Sequence, residues 1–103
     1  MAQNRPPQKI LKYIKHLRKS YPGLKKAYIF GSFAKGSSGS DSDIDIALVF
    51  DTVADAFDLQ IELMKIRRKY DSRIEPHVFR ISDFDKSHPM AGEVITTGME
   101  IPG

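Results

Sequence analysis

The chain has no cysteine. That one absence excludes disulfide frameworks, thiolate zinc sites and cysteine nucleophiles together. Nor does any apolar run approach the roughly 18 residues that a membrane-spanning helix requires. The N-terminus is polar through Pro6 and Pro7, without the cationic start and apolar stretch of a signal peptide. The expectation is a cytosolic protein with no membrane contact. Charge of one sign is also scarce, with a formal net charge of only +3. So small an excess does not by itself predict nucleic-acid binding. The cations are unevenly placed, however, and that question stays open. Repeats and linkers are missing too. A length of 103 residues sets the expectation of one domain, 1–103, with a two-layer core but no second substrate-holding domain.

What is present suits a folded domain: 41% of residues are hydrophobic and 28% charged, which speaks against disorder. Residues 1–7 read as a frayed tail that ends in a helix start, where Pro6 and Pro7 cost no hydrogen bond. From 8 to 20, Ile10, Leu11, Ile14 and Leu17 mark the inner stripe of an amphipathic helix, with Lys9, Lys12, Lys15 and Arg18 between them. Tyr21-Pro22-Gly23 ends it. A strand is expected over 24–30, a loop over 31–42 and a second strand over 43–50. The unbroken apolar run Ala47-Leu48-Val49-Phe50 predicts a central strand covered on both faces. A long helix is expected over 54–70, capped at Asp51-Thr52. Phe57, Ile61, Met64 and Tyr70 form its inward stripe, with Leu59, Leu63 and Ile66 widening it. Residues 73–80 alternate as a third strand, and Pro76 within it signals an edge or a bulge. His88-Pro89 opens a last helix to about Thr97, closed by Gly98, and 99–101 are a closing strand fragment or a trailing end. The fold class is α+β, a small mixed sheet flanked by helices.

The chemistry concentrates in 30–46. Asp43 and Asp45 stand two apart in an Asp-Ile-Asp-Ile alternation. A strand puts both carboxylates on one face and Ile44 and Ile46 on the other. Like charges so placed repel, and a cation between them removes the conflict. Hard carboxylate oxygens suit Mg²⁺, which keeps some waters and binds substrate phosphates. One such metal can neutralise a triphosphate, while a second lowers the pKa of an attacking hydroxyl. The preceding loop can approach phosphates closely: Gly31 has no Cβ in the way, Ser32 adds a hydroxyl, and Gly36 and Gly39 permit sharp bends. Asp41 reads as a solvated or capping residue. Glu75 is the candidate third carboxylate. It shares a face with His77 and Phe79, and reaches the metals if its strand lies beside 43–50 with Ile74 and Val78 buried. The alternative is a surface carboxylate paired with Arg73 or Arg80. His77 reads as structural or as a neighbour of the site, and His16 and His88 as surface or capping residues. The basic cluster Lys65, Arg67, Arg68 and Lys69 is a solvated helix end, or a docking surface for an acidic partner or RNA.

Gly31-Ser32-Phe33-Ala34-Lys35-Gly36 followed by Ser42-Asp43-Ile44-Asp45-Ile46 resembles the signature of the DNA polymerase β-like nucleotidyltransferase superfamily, and the short chain is similar to its minimal members. The resemblance implies that Gly31 and Ser32 bind the β- and γ-phosphates of ATP or another nucleoside triphosphate. Lys35, Gly36 and Ser42 complete the nucleotide loop. Asp43 and Asp45 would bind two Mg²⁺ ions, with Glu75 completing the triad. Two departures stand out. Lys35 occupies a position that is often Arg, and offers a point charge in place of a planar fork. Glu75 is one methylene longer than the usual Asp. Minimal members commonly accompany a helical HEPN-domain protein. The implied function is therefore that of an antitoxin that adenylylates a tyrosine of a HEPN ribonuclease. Other acceptors, such as a small molecule or an RNA 3′ end, remain open, as does a non-catalytic binding antitoxin. The acceptor is expected from a partner or a dimer mate.

Overall fold

The computed structural model describes residues 6–31, 33–34 and 43–102. The tail expectation for residues 1–5 lies outside them. Helix α1 (Gln8–Ser20) follows directly on Pro7 and buries Ile10, Tyr13, Ile14 and Leu17 completely. Tyr13, not Leu11, fills the fourth core position. Its hydroxyl donates to the Leu63 carbonyl at 3.0 Å, so the ring enters the core without orphaning a polar group. Burial pushes that hydroxyl pKa up. His16, expected at the surface, is partly buried and paired with the Tyr70 hydroxyl at 2.7 Å.

Strands β1 (Leu24–Phe30) and β2 (Ile44–Phe50) pair antiparallel, and β3 (Ile74–Arg80) joins β2 in parallel. The two-residue β4 (Met99–Glu100) closes the other edge against β1, which resolves the terminal fragment as a strand. The sheet order is β3-β2-β1-β4, so β2 is internal, as its apolar run predicts. Ile44, Ile46, Leu48 and Phe50 face α1 and α2 (Ala56–Arg67), whereas Ala47 and Val49 join Phe30, Phe79, Ala91 and Val94 on the opposite side.

Helix α2 differs from expectation in both its start and its buried face. Asp55, not Asp51 or Thr52, caps it by accepting from the Asp58 amide at 3.0 Å. Phe57 is 74% exposed and Ile61 38%, while Leu63 is fully buried and Leu59, Ile66 and Tyr70 pack beside it. Two apolar ladders, 57-61-64 and 59-63-66, both satisfy the helical period. The pattern therefore cannot choose between them, and packing against the sheet does.

Strand β3 is the free edge that Pro76 signals. The Arg73 carbonyl accepts from the Ile44 amide on β2, whereas the Ile74 and Pro76 carbonyls turn outward to Arg67 and Gln60. Pro76 thus lacks its N–H on the side where no ladder needs one. Helix α3 (Pro89–Thr97) is capped by His88, whose Nδ1 accepts from the Ala91 amide. Gly98 ends the helix with φ −74°, not in the left-handed region. A Cβ there would lie 2.5 Å from the Val94 carbonyl oxygen, and this close approach is what calls for glycine. Among the described residues, no helix is long and apolar enough to cross a membrane.

Candidate functional site

The parity of β2 turns Asp45 away from Ile44 and Ile46, onto the sheet face that α3 covers only in part. In the parallel register Asp45 lies beside Glu75, and Ala47 beside His77. Asp45 and Glu75 therefore share one end of that face, as expected if β3 borders β2 with Ile74 buried. Asp43 is exposed one residue before the strand. On the other side of Asp45, β1 ends at its register partner Phe30, and the chain turns at Gly31 with φ +76°. A Cβ on Gly31 would sit 2.5 Å from Asp45 Oδ2. Both the positive φ and this close approach require glycine, so the turn and the carboxylate are fitted to each other.

Two further side chains meet these acids. His77 Nε2 lies 3.1 Å from Asp45 Oδ1, and its ring packs edge-on against Phe30. Arg67 Nη1 donates to the Ile74 carbonyl at 2.7 Å and to Glu75 Oε2 at 3.3 Å. Glu75 thus pairs with neither Arg73 nor Arg80 in these contacts; Arg73 chelates Asp71. Arg67 looks like any member of its basic cluster in sequence, and only the angle of α2 over the edge of β3 singles it out. His77 carried a signal, its i+2 spacing from Glu75. A groove of about 350 Å³ runs along β3 from Glu75 and His77 to Arg80, His88 and Met90, with Gln60 on its rim.

Three carboxylates without a thiolate form a donor set chemically suited to a hard divalent cation. Among the described residues, however, no three ligating side chains converge closely enough to hold a metal. Asp45 is turned to His77 and Glu75 to Arg67. The expected loop residues Ser32, Lys35, Gly36, Gly39, Asp41 and Ser42 lie outside the described residues.

A family model described as polymerase beta, nucleotidyltransferase matches residues 12–101. The chain belongs to this family. The match takes in Gly31, Asp43, Asp45 and Glu75, the residues around which the site is built. Within the family, the chain is 33% identical over 92 residues to the protein adenylyltransferase MntA of Shewanella oneidensis. That alignment covers 89% of this chain and 63% of the relative, so the chain spans under two thirds of its length. Among solved structures, a toxin–antitoxin complex with AMP-PNP matches at 29% identity and a TM-score of 0.66, covering 92% of this chain and 71% of that one. A complex of a tri-AMPylated Shewanella oneidensis HEPN toxin with its MNT antitoxin matches at 27% identity and a TM-score of 0.63, covering 92% and 70%.

Proposed function

We propose that this chain transfers an adenylyl group from ATP to a tyrosine hydroxyl of a HEPN-type toxin and so acts as its antitoxin. In that step the hydroxyl oxygen bonds to the α-phosphorus and the bond to the bridging oxygen breaks. Pyrophosphate leaves with the electron pair, and the hydroxyl proton passes to a carboxylate or to water. The observation that carries the reading is the pairing of Asp45 with Glu75 at the open end of the sheet, with Gly31 fitted against Asp45. The similarity to an adenylyltransferase and to an AMPylated-toxin complex supports the choice of reaction and acceptor.

Asp43, Asp45 and Glu75 are the residues that would hold Mg²⁺, which supplies neutralisation of phosphate charge and acidification of the attacking hydroxyl. Gly31 leaves room for the Asp45 carboxylate and, with Ser32, for the phosphates. Lys35, Gly36 and Ser42 belong to the same nucleotide loop, where Lys35 contributes a point charge. Arg67 contacts Glu75 and His77 contacts Asp45, and each orients its carboxylate in the way outer partners fix ligating carboxylates. The groove along β3 gives the acceptor a route to Glu75. Catalysis of this type is positioning plus electrostatics.

The test combines the purified protein, ATP, Mg²⁺ and the HEPN partner, with intact-mass measurement of the partner. A gain of one or more AMP units on tyrosine is expected, and the Asp43→Asn, Asp45→Asn double variant should lose it. Full silencing of the toxin by that double variant would replace transfer with occupancy as the mechanism. Label appearing only on an RNA 3′ end or a small hydroxyl compound would replace the acceptor.

A further inference from the structure

A net charge of +3 conceals a strong separation of charge. Segments 8–20 and 65–69 hold nine of the 16 Lys and Arg residues and none of the 13 Asp and Glu residues. The remainder of the chain is correspondingly acidic. The fold brings the two segments together, because α1 and α2 lie side by side on the sheet face opposite Asp45. Lys12, Lys15, Lys19, Lys65, Arg68 and Lys69 are all exposed, and none makes an ion pair with another described residue. Against α1, and bounded by Tyr70 from the turn after α2, lies a hollow of about 410 Å³, rimmed by Lys12, Lys15 and Lys19 and lined by His16, Ser20 and Tyr70.

We propose that this face binds single-stranded nucleic acid, with lysines on the phosphates and a base against Tyr70. One observation favours that ligand over an acidic protein, an aromatic ring inside the basic hollow, the pairing that single-strand binders use. Arg18 is spent on the Ile101 and Pro102 carbonyls and Arg67 on Ile74 and Glu75, so the open charges are mostly lysine ammonium groups, which meet phosphates as point charges. The site is independent of the proposed transfer reaction, since it uses the other face of the sheet.

Fluorescence anisotropy with labelled single-stranded RNA and DNA of one sequence, about 12 nucleotides long, tests this across a salt series. Three rim lysines predict a log–log salt slope of about −2. The Lys12→Gln, Lys15→Gln double variant should weaken binding about tenfold and flatten the slope by about 1.4. Tyr70→Leu should weaken it about tenfold with the slope unchanged. Lys86→Gln, outside the patch, should change neither. RNA and DNA binding alike indicates backbone recognition, and a preference for one identifies the source. The proposal is overturned if neither strand binds at low salt or if the lysine variant binds like the parent. It is equally overturned if a poly-glutamate peptide binds as tightly, which would make the face a docking surface for an acidic protein. Because the lysines are exposed, the double variant should fold normally, so its result stands even if Tyr70→Leu does not fold.

Discussion

Beneath α1 and α2, β2 contributes Ile44, Ile46, Leu48 and Phe50, none more than 2% exposed. The same strand turns Asp45, Ala47 and Val49 to the other side, where the α3 cluster takes in only Ala47 and Val49. Burying one large aliphatic side chain contributes roughly 1.5–3 kcal/mol, whereas a like-charge neighbour on a sheet costs up to about 1 kcal/mol. The sealed face can therefore stabilise a strand whose open face carries repelling acids. Stability and chemistry are divided between alternate residues of one strand, and substitutions on the two faces should fail in different ways.

Asp45→Asn should separate them most sharply. If the carboxylates carry transfer, activity should fall about 10³-fold or more, or ~4 kcal/mol of transition-state stabilisation, with the melting temperature kept or raised. A variant that melts early and retains activity would reverse the division. Leu63→Ala, on the sealed face, should do the opposite. Leu63 is fully buried and its carbonyl receives the Tyr13 hydroxyl, so truncation should cost about 3 kcal/mol in urea unfolding. Activity per folded molecule should be retained.

Gly31→Ala should blur the comparison, because Gly31 belongs to both the turn and the site. A left-handed backbone costs a non-glycine residue roughly 1–2 kcal/mol. The new Cβ must also displace Asp45 Oδ2, which it would meet at 2.5 Å. Stability and activity should therefore fall together, unlike in either earlier variant. Arg67→Gln sharpens the picture again on a smaller scale. Loss of the contact with Glu75 should lower activity about tenfold, with little change in melting. Arg67 Nε is buried without a hydrogen-bond partner, so a shorter side chain also removes an orphan. Unchanged activity would make the pair with Glu75 a bystander.

The same division explains what could be read from the sequence. Helix α1 has a helical apolar period, and Asp43 to Ile46 alternates ahead of the unbroken apolar run 47–50, so their positions and the facing of Ile44 and Ile46 were legible. The pairing of Asp45 with Glu75 needed one fact more, that β3 lies parallel beside β2; parity then fixes the shared face. Helix α2 was legible as a helix but not in orientation, because Phe57 and Ile61 compete with Leu59 and Leu63 for the inward stripe. Arg67 was hidden for the same reason. Four cations stand in a run of five residues, and which one reaches Glu75 depends on how α2 rolls against the sheet.

The smallest predicted effect lies at the turn into β3 and concerns acid. Asp71 Oδ1 accepts from the Arg73 amide at 2.9 Å and Oδ2 from its guanidinium at 2.8 Å. These contacts, the side-chain bonds to Arg73 foremost, hold its carboxyl pKa below the usual value despite partial burial. A depressed folded-state pKa means that the ionised form is the one the fold prefers. Its stabilisation is fully present above the unfolded carboxyl pKa and is lost as pH falls through the lower folded value. Asp71→Asn should therefore be less stable than the parent by about 1 kcal/mol near neutrality. Urea unfolding of both proteins from neutral to acid pH should show the gap closing below the ordinary carboxylate range. A gap that stays constant would mean that Asp71 acts through backbone geometry alone. Because this turn precedes the strand that carries Glu75, the variant should leave the sealed core intact while loosening the entry to the open face.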